Sequence, residues 1–326
     1  MEKWNVPAVG IMMMAMSVIG CNSSSRGESS AEAASAQPAT SALLGNFNAD
    51  SAYQYVADQV AFGPRVPGTD AHRACRNYII DKLEAFGADS VITQDATVTA
   101  YNGDQLPISN IIAGFNLNKA KRILLAAHWD SRPWADMEES MDLRNQPVLG
   151  ANDGGSGVAV LLEIARNLAE KQPSVGVDLI FFDAEDYGNH DGFGTNADTW
   201  CLGAQYWADN IVPYRTDNLP VYGILLDMVG GRNARFHYEA FSQQNAETPT
   251  IKVWSEAERL GYGDTFIRSI GGAITDDHIV LTRAGIPTTD IVELNNVETS
   301  SFPPTWHTLH DDMEHIDRST LKAVGE

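Results

Sequence analysis

The 326-residue chain predicts an α/β fold, with a central mixed, mostly parallel sheet flanked by helices on both faces. Three observations predict it. Short apolar runs without alternation, at 122–127 and 177–182, read as strands buried on both faces. They alternate with segments of helical apolar spacing. Acidic residues or His follow those runs and the strand-like 221–226 directly, at His128, Asp183–Asp186 and Asp227, where loops leave the strand ends of an open sheet.

Each element follows from local chemistry. Tyr53, Val56, Val60 and Phe62 give 50–62 near-helical spacing, and the turn-rich Phe62–Thr69 breaks that helix. Ala74, Tyr78, Ile79, Leu83 and Phe86 define the inner face of a helix over 71–86, with Gly87 as its cap. Strands are expected at 91–100, 109–115 and 122–127, the last running into His128-Trp129-Asp130. In Gly150–Gly157, four glycines let the backbone turn sharply and approach a ligand. Ser156 is expected to cap the next helix, whose stripe is Val158, Leu161, Leu162, Ala165 and Leu168, so that Asp153 stands at a helix entrance. A strand over 177–182 leads into Asp183-Ala184-Glu185-Asp186. Residues 200–210 read as a helix, 221–226 as a strand ending at Asp227, and 250–260 as a helix with Pro249 in its first turn. Asp276-Asp277-His278 opens a helix to about 283, Gly285-Ile286-Pro287 leads into a strand over 288–294, and a last helix starts at Asp317.

The N-terminus reads as a targeting segment. Val6–Ile19 is apolar but short for a bilayer, and Val18-Ile19-Gly20-Cys21 looks like a bacterial lipobox. Residues 1–21 are then a lipoprotein signal segment, cleaved before Cys21, with its thiol lipidated; an ordinary secretory signal is the alternative. Residues 22–46, rich in Ser, Ala, Glu and Gln, read as a flexible tether, and 47–326 as the one catalytic domain. There is no internal repeat. A formal charge of −21 argues against nucleic acid or anionic lipid as partners. Cys75 and Cys201 remain after lipidation; an exported chain permits a disulfide, and two buried free thiols are the alternative.

His128, Asp153, Glu185, Asp186, Asp227 and His307 carry the chemistry: two His and several carboxylates suit a zinc ion. Singly, each acid also reads as a turn residue, a strand-end cap or a solvated pair. Glu185-Asp186 is the strongest element, because adjacent carboxylates at a strand exit can divide metal binding from proton transfer. His72 and His190 read as surface residues, and His237, His310 and His315 carry no signal. His278 is either a support for the site or part of a helix N-terminus.

His128-Trp129-Asp130, Gly150–Gly157, Ala184-Glu185-Asp186, Leu226-Asp227 and Trp306-His307 resemble the motif series of the zinc aminopeptidase superfamily. Phe62–Thr69, Asp276-Asp277-His278 and Phe302-Pro303-Pro304-Thr305-Trp306-His307 resemble one branch of it, the animal-type (type II) glutaminyl cyclases and their bacterial lipoprotein relatives. The resemblance spans about 50–320 and implies one Zn2+ held by Asp153, Asp186 and His307, with Glu185 as general acid/base. It implies an acidic relay through Asp276 and Asp227, and a substrate wall at Trp306. Trp200 is a second wall or plain helix core, since 188–199 matches poorly. The implied reaction turns the N-terminal glutamine of peptides or exported proteins into pyroglutamate with release of ammonia, in the bacterial periplasm, by a monomer lipid-anchored to a membrane. Three features depart from the pattern: Asp186 where Glu is usual, Asp290 where a His is usual, and a short last helix ending at Glu326, which leaves a longer natural C-terminus open. Two other readings stay open. One is a two-zinc aminopeptidase with a second ion at His128 and Asp227, Asp153 bridging and Glu185 activating water. The other is a non-catalytic peptide-binding lipoprotein, against which an intact Glu185 argues.

Overall fold

The computed structural model describes residues 46–191, 196–215 and 218–326. The leader, Cys21 and residues 22–45 of the expected tether lie outside the described residues. Among those described, no helix is long and apolar enough to cross a membrane.

Six strands form the central sheet: β1 (Ser90–Thr99), β2 (Gln105–Phe115), β3 (Arg122–His128), β4 (Gly176–Phe182), β5 (Gly223–Asp227) and β8 (Thr288–Val292). Their order is β1-β2-β4-β3-β5-β8. β4, β3, β5 and β8 run parallel, and the hairpin β1–β2 joins them antiparallel through β2 and β4. This is the mixed α/β sheet that the apolar runs predict. The parallel strands show no alternation in sequence because both faces are covered. Within β4, Val177, Leu179 and Phe181 enter the core on one face, while Ile180 and Phe182 enter the core on the other. Side chains alternate across a strand, so an unbroken apolar run serves both cores.

Helices α1 (Ala49–Val60), α2 (Asp70–Ala85), α3 (Gly155–Glu170) and α8 (Arg318–Gly325) share the first core. α3 is its centre, buried without a break from Gly155 to Leu162. Helices α4 (Leu202–Asp209) and α7 (Asp277–Arg283) cover the second. Cys75 lies in the first core and Cys201 in the second, so the sheet separates them; both thiols are free and buried.

Some elements differ from expectation. β2 begins at Gln105, four residues before the predicted start at 109, because its first half pairs with β1 at the solvated edge and has no apolar run. A two-stranded parallel sheet, β6 (Phe236–Glu239) with β7 (Phe266–Gly272), and the short helix α5 (Ala240–Asn245) were not expected. β6 has only four residues and the middle of β7 is exposed, so neither carries a periodic signal. Helix α6 (Glu247–Arg259) buries Trp254 against Phe266 of β7. Ser156 does not cap α3. Gly154, at φ 85°, is the capping position, and the Ser156 hydroxyl lies inside the first turn. There it donates to the Asn152 carbonyl at 2.6 Å and accepts from the Val229 amide at 2.9 Å.

Gly157 lets α3 approach the end of β5 closely: a Cβ there would collide with the Leu226 carbonyl, beside Asp227. Gly157→Ala is expected to cost about 1–3 kcal/mol through overpacking, measured as a lower urea midpoint with an unchanged slope.

Candidate metal centre and active site

The parallel strands end together, and their following loops converge there. β3 delivers His128 and then Asp130; β4 delivers Asp183–Asp186; β5 delivers Asp227. The glycine loop before α3 presents Asp153, the start of α7 presents Asp276, and the loop after β8 presents Trp306 and His307. Four non-glycine residues at these junctions, Ala184, Cys201, Met228 and His307, take φ between 48° and 58°. Such left-handed backbone costs about 1–3 kcal/mol each and persists only where surroundings enforce it.

Asp153 stands at the centre. Its Oδ1 is 3.0 Å from His128 Nε2 and its Oδ2 is 3.7 Å from His307 Nε2. His307 Nε2 also lies 3.1 Å from Asp186 Oδ1. His128 Nε2 lies 3.2 Å from Asp227 Oδ1. Two buried triads result: Asp153–Asp186–His307 and His128–Asp153–Asp227, each with donor atoms within 4.8 Å of one another. Ligands held at 2.0–2.2 Å by tetrahedral zinc stand roughly 3.3–3.6 Å apart. The 3.1 and 3.7 Å separations in the first triad bracket that edge, so its donor set and spacing fit zinc.

Backbone amides and second carboxylates hold these groups. Asp130 accepts from the Glu185 amide at 3.1 Å and the Asp186 amide at 3.2 Å. Asp311 accepts from the Asn152 and Asp153 amides at 2.7 and 3.0 Å. Asp183 accepts from the Ser109 and Ala184 amides at 2.6 and 2.8 Å and pairs with His72 Nε2 at 2.9 Å. His72 is therefore not a surface residue: it is 3% exposed and stacks on Trp129 at 4.2 Å. His190, also expected on the surface, lines the site cavity.

Crowding buried acids shifts their protonation. Burial pushes Glu185 well above the usual carboxylate range; the nearby Asp186, Asp277 and Asp130 charges add to this, while His128 opposes it. Burial and the Asp290, Asp227, Glu185 and Asp277 charges likewise raise Asp276. Asp227 rises to about 6, chiefly by burial. Asp153 moves the other way: burial opposes its charge, but the hydrogen bond and charge of His128, with His307 and Arg132, hold it below the ordinary value. Burial disfavours charge on His128 and His307, yet their carboxylate partners raise both. A bound dication replaces such protons, since ligand imidazoles are neutral and ligand carboxylates ionised.

Glu185 stays outside the first triad and faces Asp276 and Cys201 instead. The Cys201 thiol lies 3.4 Å from Glu185 Oε1, and the Cys201 amide donates to the Glu185 carbonyl at 3.0 Å. Asp276 caps α7, accepting from the Asp277 amide at 2.5 Å. Behind it, His278 lies between Glu239 at 3.0 Å and Asp290 at 3.3 Å. These partners outweigh burial and lift His278 to about 9. An imidazole thus faces Asp290, supplied by α7 rather than by β8.

Asp153, Glu185, Asp186, Asp227, Asp276 and His307 edge one cavity of about 260 Å³. Trp306 packs on the His307 ring at 3.7 Å and on Phe302 at 4.4 Å. Trp200, just before α4, lies parallel to the His307 ring at 6.0 Å and lines the cavity rather than the helix core alone. Phe241 and Ile274 also line it, from segments with no signal in the sequence. Arg132, Asp136, Asp311 and Cys201 were also missed. Arg132 follows His128 by only four positions, but nothing local says that its charge is buried.

Residues 110–326 match Peptidase family M28, and the chain belongs to that family. It is similar to the glutaminyl cyclase of Bacteroides thetaiotaomicron, solved with N-acetylhistamine bound: 52% identity, TM-score 0.81, covering 86% of this chain and 95% of that one. A Zn-dependent exopeptidase from Parabacteroides distasonis shows the same identity, TM-score and coverage. The Bos taurus glutaminyl-peptide cyclotransferase is 26% identical over 297 residues, covering 80% of this chain and 76% of its own length.

Two outcomes are expected. Asp130→Asn leaves the Glu185 or Asp186 amide without an acceptor, at about 1–3 kcal/mol; zinc content and melting temperature both fall while the far-ultraviolet spectrum is kept. Burial pushes the Cys75 thiol up to about 12 and Cys201 well above its ordinary value. Neither is then labelled by a thiol reagent in the native protein, and both are labelled in denaturant, as peptide mapping of the label would show.

Proposed function

We propose that this protein is a zinc-dependent glutaminyl-peptide cyclotransferase, converting N-terminal glutamine of peptides and proteins to pyroglutamate with release of ammonia. The observation that carries it is the placement of Glu185: a buried carboxyl beside Asp276, facing the same aromatic-walled cavity as Asp153, Asp186 and His307. The cyclases among its relatives support the choice of reaction.

Asp153, Asp186 and His307 would hold one zinc ion, which supplies Lewis-acid polarisation of the side-chain amide oxygen. The substrate's α-amine, neutral at or above roughly pH 7.7–8.0, attacks its own side-chain amide carbon. A C–N bond forms to the α-nitrogen and the bond to the amide nitrogen breaks. Glu185 takes the proton released by the amine and delivers it to the departing nitrogen, which leaves as ammonia. Its raised proton affinity suits a group that must both accept and return a proton near neutral pH. Asp276 and Asp227, also raised, keep negative charge and shared protons close to it. Trp306, Trp200 and Phe302 restrict the side chain to a folded-back pose, which brings amine and amide together without a bimolecular encounter.

The second reading is hydrolysis by a two-zinc aminopeptidase, favoured by the His128–Asp153–Asp227 triad and by the exopeptidase relative. The small aromatic-walled cavity, the Asp276 carboxyl beside Glu185 and the cyclase relatives weigh toward cyclisation and one ion. The same proposal makes the enzyme a lipid-anchored bacterial periplasmic monomer, tethered through Cys21 and acting on exported proteins with N-terminal Gln. The lipobox-like Val18–Cys21 and the polar stretch after it support this.

Incubation with a Gln-initiated peptide, read by mass spectrometry, is expected to show loss of ammonia from an otherwise intact peptide. Release of free glutamine, with two zinc ions per chain, would instead establish the peptidase. Glu185→Gln is expected to lower turnover about 10²–10⁴-fold with zinc content unchanged. A fully active Glu185→Gln protein would remove Glu185 from the mechanism.

A further inference from the structure

The loop after β3 carries a cation that does not line the cavity but touches what does. The Arg132 side chain is fully buried. Its Nη1 donates to the Asp186 carbonyl at 3.0 Å and to Asp186 Oδ1 at 3.2 Å. Nε and Nη2 fork onto both oxygens of Asp136, at 3.0 and 2.5 Å, and Nη2 also donates to the Gly188 carbonyl at 3.2 Å. Asp136 Oδ1 in turn lies 3.2 Å from His307 Nδ1. The flat guanidinium sits 4.7 Å from the Trp200 ring and 5.3 Å from Trp134.

We propose that Arg132 is a positioning residue that orients two of the three zinc-binding side chains, Asp186 directly and His307 through Asp136, and fixes the Trp200 wall with the same group. The inference rests on the assignment of zinc to Asp153, Asp186 and His307. Three physical facts carry it. The guanidinium is planar and its donors form a rigid fork, so it can bind a main-chain carbonyl, two carboxylates and an aromatic face at once; an ammonium cannot. Asp186 has one methylene less than Glu and few ways to reach a metal. Donors to both its carbonyl and its Oδ1 restrict its backbone and its side chain together. The Asp136 carboxylate lies behind His307 Nδ1 at ion-pair distance rather than in a well-formed hydrogen bond, with Nε2 facing Asp153 and Asp186; a carboxylate placed there favours the tautomer and ring orientation of a ligand imidazole. One side chain therefore links metal retention to the shape of the substrate cavity.

The test uses the full-length zinc-loaded protein and three variants: Arg132→Lys, Asp136→Asn and the double mutant. Zinc affinity is measured by competition with a fluorescent chelator, KM and kcat with a Gln-initiated peptide at saturating zinc, and folding by circular dichroism. Arg132→Lys and Asp136→Asn are each expected to weaken zinc about 10–100-fold. The double mutant is expected to lose clearly less than the product of the two single effects, because both act through one network. At saturating zinc, Arg132→Lys raises KM more than Asp136→Asn does, since only the arginine touches Trp200. A folded Arg132→Lys protein with parental zinc affinity overturns the proposal. If Arg132→Lys does not fold, Asp136→Asn decides alone, and parental zinc affinity in that variant overturns it equally. A parent protein that leaves the peptide unchanged overturns the cyclase reading, while the zinc measurements still judge Arg132.

Discussion

The structure depends on keeping many carboxylates buried in one place. Asp130, Asp153, Asp183, Glu185, Asp186, Asp227, Asp276, Asp277, Asp290 and Asp311 are all at or below 9% exposure. Unpaired, each buried charge would cost several kcal/mol. For most of them the fold answers with opposed charge and directed donors rather than with solvent, whereas both oxygens of Asp277 lack a hydrogen-bond partner among the described residues. His72, His128, His278, His307 and Arg132 supply the first. Backbone amides of Ser109, Asn152, Asp153, Ala184, Glu185 and Asp186 supply the second. A dication at Asp153, Asp186 and His307 fits the same logic, as positive charge where two carboxylates face one imidazole.

This arrangement divides labour between similar groups. Asp153 and Asp186 are both buried aspartates near His307, yet their affinities for a proton move in opposite directions. Asp153 has two imidazoles against it, one on each oxygen. Asp186 shares one imidazole and Arg132, and burial outweighs them. Glu185, one residue away, has a weak thiol contact and further acids for neighbours, and it is the group best placed to hold a proton. The difference between Glu185 and Asp186 arises from which way each side chain leaves the β4 exit. That in turn depends on the left-handed backbone at Ala184 and on the hydrogen bonds that enforce it.

The cores and the site are not independent. α3 is buried on nearly every side because it supports the parallel strands and starts at the loop that holds Asp153. Its close approach to β5 at Gly157 brings the Asp227 end within reach of that loop. On the other face, α4 and α7 seat Cys201 and Asp276 against Glu185.

Much of this was legible in the residues. Apolar runs without alternation mark strands covered on both faces, and loops after parallel strands must gather at one edge, so His128, Asp186 and Asp227 are brought close by topology alone. The glycines before α3 announce a sharp turn that presents Asp153. Other features carried no local mark. β6 and β7 are short and half-exposed, with no period to read. Sequence determined the sheet, the helices that cover it and the set of groups at its edge, because hydrophobic periodicity and turn chemistry act over neighbouring residues. Tertiary structure alone decided that His72 is buried on Asp183, that Cys75 and Cys201 lie on opposite faces of the sheet, and that Arg132 reaches Asp186 across 54 positions. The reason is physical: whether a charge is solvated or buried, and what it pairs with, depends on distances between segments that only the folded chain brings together.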